Sequence, residues 1–313
     1  MKRNTKSWNI ILFTYVLVAV AAVLSIGIGS VYVPVPAILK TIFGSYPEAN
    51  ETIIMDIRLP RVLLALIIGA NIAISGALLQ AVMGNPLADP GLTGVTSGAS
   101  AAVLVIMLIL PQYTNLIPVA AFAGGIFAAS IVYALAWKKS GISPITIILS
   151  GVAVNALCGG LVGFMSILYS DRLPSAIQWL NGSLAAKGSN ALFMILPYAL
   201  VGWILSIFAV RKANIIRLGD QVAANLGDNV HRTRIWLSLL AVFLAAISVA
   251  AVGMIGFVGL IVPHMARLIV GSDYKVLLPM STALGALVLL VADTGGRTLF
   301  APLDIPAGIL MAV

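Results

Sequence analysis

Three arginines stand at the edges of apolar runs, where a guanidinium is costly and needs a reason to be there. Arg58 and Arg61 flank Pro60 in the stretch IRLPRVLLALIIG, and Arg297 lies in ADTGGRT at the end of another apolar run. Arginine presents five N–H donors in a planar fork that matches a carboxylate bidentately. A fixed patch of such groups suits a carboxylate-bearing partner. Snorkelling to lipid headgroups is the simpler reading of Arg58 and Arg61. For Arg297 the simpler reading is an ion pair with Asp293, four residues earlier. Spacing alone does not decide whether Arg297 joins the other two. Pro60 suits the first turn of a helix, because its missing N–H would be unpaired there.

Other stretches carry less chemistry. GNPLADPG, residues 84–91, holds two prolines and two glycines in eight residues and cannot continue a helix. It reads as a turn, or as rigid irregular backbone of the kind tolerated at membrane depth where protein buries it or it lines a cavity. Pro263 inside the apolar run 253–271 is expected to kink or break that helix, with the adjacent His264 as a packing residue. Asn71, Gln80 and Asn155 lie within apolar runs and are expected to bond across helices. The polar stretch RKANIIRLGDQVAANLGDNVHRTR, residues 211–234, places Ile216, Leu218, Val222, Ala223 and Leu226 at near-helical spacing, punctuated by Gly219 and Gly227. A short amphipathic helix under a membrane fits better than a solvated linker.

No phosphate-cradling G-x-x-x-x-G-K-[ST] loop, no G-x-S-x-G and no H-E-x-x-H occurs. Cys158 is the single cysteine, and His231 and His264 are far apart, so no metal-ligand spacing is present. Enzyme chemistry on this chain is therefore not expected, nor is a bound metal or cofactor.

The elements that must position these residues follow from composition. The 313 residues are 61% hydrophobic and only 9% charged, against about 25% charged in soluble domains. Such a chain cannot keep a water-facing surface, so it is an all-α, polytopic membrane protein. Apolar runs mark spans at about 8–30, 61–82, 92–110, 115–137, 144–168, 191–210, 235–252, 257–270 and 276–294, and a tenth begins near Ile305. Glycines at 69, 76, 124, 125, 151, 159, 160 and 163 predict close helix packing. With the N-terminus inside, twelve Lys and Arg fall in inner segments (Lys2, Arg3, Lys6, Lys138, Lys139, Arg211, Lys212, Arg217, Arg232, Arg234, Arg267, Lys275) and six in outer ones. That bias favours a cytoplasmic N-terminus. Arg58, Arg61 and Arg297 then lie on the outer side, against the trend.

The blocks RLPR, GNPLADPGLTGVTSGAS, LSGVAVN, RLGDQVAANLG, IGFVGLIVPHMARLIVG and LPMSTALGALVLLVAD, in that order, resemble the FecCD-type permeases of iron–siderophore and cobalamin ABC importers. The resemblance covers about residues 10–313. It implies one permease unit of ten transmembrane helices with the type II ABC importer fold, in the bacterial cytoplasmic membrane. It implies a second permease copy or paralogue, a cytoplasmic ABC ATPase dimer that carries ATP–Mg, and an extracytoplasmic substrate-binding protein. The cargo it implies is a ferric siderophore, with cobalamin or haem as alternatives; a secondary transporter working without ATP is the reading outside the family. By position, Arg58, Arg61 and Arg297 match arginines that meet glutamates of the binding protein. Residues 211–234, with Arg217, Leu218, Gly219, Val222, Ala223, Leu226 and Gly227, match the segment that seats in the ATPase. Asn85, Leu87, Pro144 and Ile145 match positions that narrow the inner end of the path, and Pro144 stands where some relatives carry a small hydroxyl residue. The family pattern runs on into a full tenth helix, so the last helix is expected to be incomplete at Val313.

Overall fold

The computed structural model describes residues 2–29, 32–44, 51–137 and 142–312. Lys138 and Lys139, two of the cations assigned to the inner side, lie outside the described residues. Among the described residues the secondary structure is helical throughout, with no strand. In chain order the helices are α1 (Lys2–Gly27), α2 (Val35–Phe43), α3 (Leu59–Met83), α4 (Val95–Leu104), α5 (Ile117–Ala136), α6 (Pro144–Leu168), α7 (Leu173–Leu180), α8 (Ser189–Ile216), α9 (Asp220–Asn225), α10 (Val230–Val252), α11 (Val258–Val270), α12 (Tyr274–Thr298) and α13 (Ala307–Leu310). Seven helical stretches are long and apolar enough to cross a membrane, and Val95–Ile109 and Val258–Val270 are shorter apolar helices. These nine coincide with the nine runs read from the sequence. Where a tenth was expected stands the four-residue α13. The remaining helices, α2, α7 and α9, have nine, eight and six residues and no span-length signal.

The span containing α3 is the axle of the fold: 89% of its most apolar window is buried, against 17% for α6. The helix is flanked by α12, α10, α8 and α11. Lipid tails are as apolar as leucine, so helices join by close packing and by hydrogen bonds rather than by escape from water. Glycine makes the close approach possible at two places along α3. A Cβ on Gly69 would lie 2.1 Å from the Gly285 carbonyl oxygen of α12, and one on Gly76 would lie 1.9 Å from the Gly259 carbonyl oxygen of α11. The in-span polar residues bond across helices as expected. Trp203 Nε1 donates to Asn71 Oδ1 at 2.7 Å, Arg267 Nη2 donates to Gln80 Oε1 at 2.9 Å, and Asn155 Nδ2 donates to the Gly91 carbonyl at 3.0 Å.

Several expectations need correction. Pro60 does stand in the first turn of α3, as expected, but a π-helical turn, Ile53–Arg58, runs directly into that helix, with the Leu59 N–H reaching back to the Ile54 carbonyl. A wider turn accommodates a residue that has no N–H to give. Nor does Pro263 break α11, which is continuous through it. The carbonyl that Pro263 leaves unpaired by the i→i−4 rule is that of Gly259, which is the one held against Gly76 of α3. His264 is not a buried packing residue but exposed on the chain's surface. The stretch 211–234 yields a helix of only six residues, because α8 runs on to Ile216 and α10 starts at Val230. Gly159, Gly160 and Gly163 meet nothing within 4 Å. They lie on an open face of α6 with exposed Leu157, Phe164 and Ile167, so their smallness serves no packing inside this chain.

The contrast between closed and open glycines is measurable. Gly69→Val should destabilise the detergent-extracted chain by about 1–3 kcal/mol or more through overpacking. Gly160→Val should stay within about 0.5 kcal/mol. Thermal unfolding of the two variants side by side checks both values.

Candidate functional site

The end of the bundle where α3 begins is built by arginines that close helix ends. The last carbonyls of α1 would be orphaned in any helix, and each finds a donor. Leu24 O accepts from Ile28 N, and Gly27 O from Val33 N at 3.0 Å. Ile26 O accepts from Arg58 Nη1 at 2.7 Å, and the same atom reaches Gly27 O at 3.2 Å. Ser25 O and Ser25 Oγ accept from Arg297 Nη2, the latter at 2.8 Å. Arg58 is consequently 5% exposed. Gly29 lies so close that a Cβ there would meet Arg58 Nη2 at 2.6 Å.

Arg61 turns the other way. Its Nε and Nη2 donate to Asp293 at 2.9 Å, and its Nη1 and Nη2 donate to Asp304 at 2.8 and 3.0 Å. Four of the five N–H groups are thus occupied. The pairing with Asp293, 1% exposed, runs from α3 to α12 and replaces the i, i+4 pair expected between Asp293 and Arg297. The arrangement answers what spacing left open: Arg297 joins the other two, sitting within electrostatic reach of Arg58, Arg61, Asp293 and Asp304. Within this cluster, three arginines against two aspartates leave one formal positive charge. Asp293 and Asp304 were not legible as site residues, because 232 and 243 positions separate them from Arg61.

Two adjoining cavities of about 440 and 600 Å³ share Asp89, Gly91, Thr96, Leu180, Met254, Gly256 and Phe257 in their lining. Leu87, 67% exposed, lines the larger one together with Ser97, Asn155 and Cys158. Asn85 sets the turn that presents Leu87, its Oδ1 accepting from Leu87 N at 2.9 Å. Asp89 was passed over in the sequence, yet it is the one carboxylate in either lining. Its Oδ1 accepts from Gly91 N at 2.7 Å and caps the 3-10 turn Pro90–Thr93. Burial pushes its carboxyl group up, and the Gly91 N–H offsets this in part. Pro144 opens α6 behind a Ser143–Thr146 capping box. Ile145 is 69% exposed, and neither residue lines the two cavities.

The end of α3 remote from the arginine cluster carries α9. With α3 rising about 1.5 Å per residue, the two ends are separated by most of a bilayer's thickness. Leu218, Val222 and Leu226 are exposed. At intervals of four residues they form one apolar strip, while Ala223 turns inward and is fully buried. Gly219 and Gly227 bracket α9 at φ of +96° and +80°, a region that only glycine enters without strain. Arg217 donates to the Ser272 carbonyl and so ties the approach to α9 onto the loop between α11 and α12.

A family model described as the FecCD transport family matches residues 17–313. The chain belongs to that family. It is 39% identical to the Fe(3+)-citrate import system permease protein YfmE of Bacillus subtilis, over all of this chain and 95% of that one. It is 36% identical to the hemin transport system permease protein HmuU of Yersinia pestis, over 96% of this chain and 91% of the relative. Among solved structures, an inward-facing conformation of a metal-chelate type ABC transporter superposes with a TM-score of 0.86 at 29% identity, covering 97% of this chain and 95% of that one. A FecCD permease with these apolar helices is a multi-pass membrane transport subunit.

Within the outer cluster the two carboxylates should differ in weight. Arg61→Ala strands Asp293 in the protein interior and should cost about 3–5 kcal/mol. Asp304→Asn removes a partner that is 36% exposed and should cost less than about 1 kcal/mol. Denaturant unfolding of the purified variants distinguishes the two.

Proposed function

We propose that this chain is the translocating subunit of an ATP-driven importer that brings a ferric chelate of the siderophore class through the bacterial cytoplasmic membrane, N-terminus inside. The chain itself binds no cofactor in this reading, and ATP–Mg sits on a separate pair of cytoplasmic ATPase subunits. Arg217, Leu218, Gly219, Val222, Ala223, Leu226 and Gly227 seat in the ATPase, while Asp220 between them turns to Arg234. The observation that carries this reading is the exposure of three apolar side chains on and beside α9, Val222 within the helix and Leu218 and Leu226 at its two ends, in a chain of the permease family.

The remaining parts of the assembly follow from the same surfaces. The open face of α6, with three unpacked glycines and exposed large apolar side chains, supports a second permease copy or paralogue as its neighbour. The cavities beside α6 then become one wall of a shared path, with Asn85, Leu87, Pro144 and Ile145 at its inner constriction. Arg58, Arg61 and Arg297 supply the positive end on which an extracytoplasmic binding protein sets its carboxylates. Arg58 is sunk behind α1, so its part is to hold the platform, with Arg61 and Arg297 nearer the surface. Similarity to the hemin permease keeps haem as a second cargo.

Two experiments bear on this directly. The tagged, detergent-extracted chain should co-purify with a Walker-A ATPase, and Leu218→Asp with Leu226→Asp should reduce recovery at least tenfold; undiminished recovery rejects the seating assignment. Binding-protein affinity for the reconstituted permease should fall several-fold between about 50 and 500 mM salt, as screening of an exposed charge patch requires. A flat salt response rejects docking through the arginine end.

A further inference from the structure

One buried side chain on the inner side joins elements to which the proposed function gives different tasks. Arg234, in the second turn of α10, is 6% exposed. Its Nε donates to the Val82 carbonyl at 3.3 Å, its Nη1 to the Ile142 carbonyl at 2.7 Å, and its Nη2 to Asp220 Oδ1 at 3.0 Å. Val82 lies in the last turn of α3, the axle. Ile142 is two residues before Pro144, where α6 begins. Asp220 is the first residue of α9. Ile142 is gripped a second time, since its N–H donates to His231 Nδ1 at 3.4 Å, and His231 packs edge-on against Trp137 at the end of α5.

We propose that Arg234 is the positioning residue that carries a displacement of α9 to the start of α6 and so to the inner constriction. The proposal rests on the seating of the residues on either side of Asp220 in an ATPase. Its physical basis is a comparison of stiffness. The backbone on both sides of α9 passes through glycines at positive φ, Gly219 and Gly227, which absorb rotation rather than transmit it. Asp220 is the α9 side chain with a hydrogen bond to the rest of the protein among the described residues. A guanidinium is planar, so the directions to its three acceptors are fixed relative to one another. Moving Asp220 therefore moves the fork, and the fork holds the Ile142 carbonyl directly. Lysine in its place would keep the charge and lose this fixed geometry.

The test uses the permease bound to its ATPase in lipid nanodiscs, in a Cys158→Ala background. A thiol introduced by Ile145→Cys reports on the constriction through its rate of labelling by a maleimide, with and without ATP plus vanadate. No cargo is needed. With Asp220 and Arg234 intact, the labelling rate should change several-fold on trapping the nucleotide. Asp220→Ala, which removes the acceptor, should leave the ATPase attached and abolish the nucleotide-dependent change, Asp220→Glu should keep it, and Arg234→Lys should lose it. Asp220 is largely exposed, so its substitution spares the fold even where changes at Arg234 do not. A change that persists in Asp220→Ala overturns the proposal. Loss of the ATPase in Asp220→Ala also overturns it, by assigning that residue to seating. If the intact chain binds no ATPase, the seating assignment itself fails, and this is distinguishable because it needs no variant.

Discussion

The bilayer core offers the backbone no hydrogen-bonding partner, and every irregularity in this chain is built around that constraint. A helix may end, widen or carry proline only where protein supplies the missing donor or hides the spare acceptor. At the end of α1 three of the last four carbonyls accept from arginines, Ile26 and Gly27 from Arg58 and Ser25 from Arg297. At the end of α3 the Val82 carbonyl goes to Arg234. The carbonyl exposed by Pro263 is covered by the bare backbone of Gly76. Arginine serves these places because it carries five donors and remains charged, so a single side chain closes several ends at once.

This use of arginine sets what the same residues can do for function. A guanidinium committed to internal carbonyls is fixed in place, and a partner meets a preformed charge rather than a mobile one. Arg61 shows how far this goes: with Asp293 beneath it and Asp304 beside it, most of its donors are filled. What it presents outward is field more than free hydrogen bonds. Arg297 offers little more, since its Nε is buried without a hydrogen-bond partner. The cluster is therefore rigid, with one formal positive charge in excess among its five members, and in the proposed function that suits reversible docking by a carboxylate better than permanent capture.

How much of this was legible in the sequence depends on the range of the interaction. The nine apolar runs were readable because a span of about 20 residues is a local property of composition. Asn71, Gln80 and Asn155 were readable as cross-helix groups because a polar side chain in such a run has no other outlet. The partners were not readable. Nothing near Arg61 points to Asp293 or Asp304, and nothing near Arg234 points to Val82 or Ile142. The length of α9 was also hidden, because the apolar spacing over 216–226 is shared between the end of α8 and a short separate helix. At Pro263 the local rule counts the hydrogen bond lost, whereas the glycine whose bare backbone covers the spare carbonyl lies in another helix, so a break was no more readable than its avoidance.

The inner and outer arginine sites have α3 in common. Arg58 and Arg61 stand at its beginning and Arg234 holds its last turn, and between them the helix is buried along nearly its whole length with glycine contacts to α11 and α12. Such a packed rod has few ways to bend, since each close glycine contact is bistable or broken rather than elastic. Motion between the ends must then be rigid tilting of α3 with its neighbours, or sliding of the less buried helices past it. Within the single chain α6 carries the fewest buried residues of the long spans, and its start is tied to α3 through Arg234 and Ile142. In the proposed function, sliding of α6 against the axle, together with whatever covers its open face, is therefore the motion that leaves the glycine contacts of α3 unbroken.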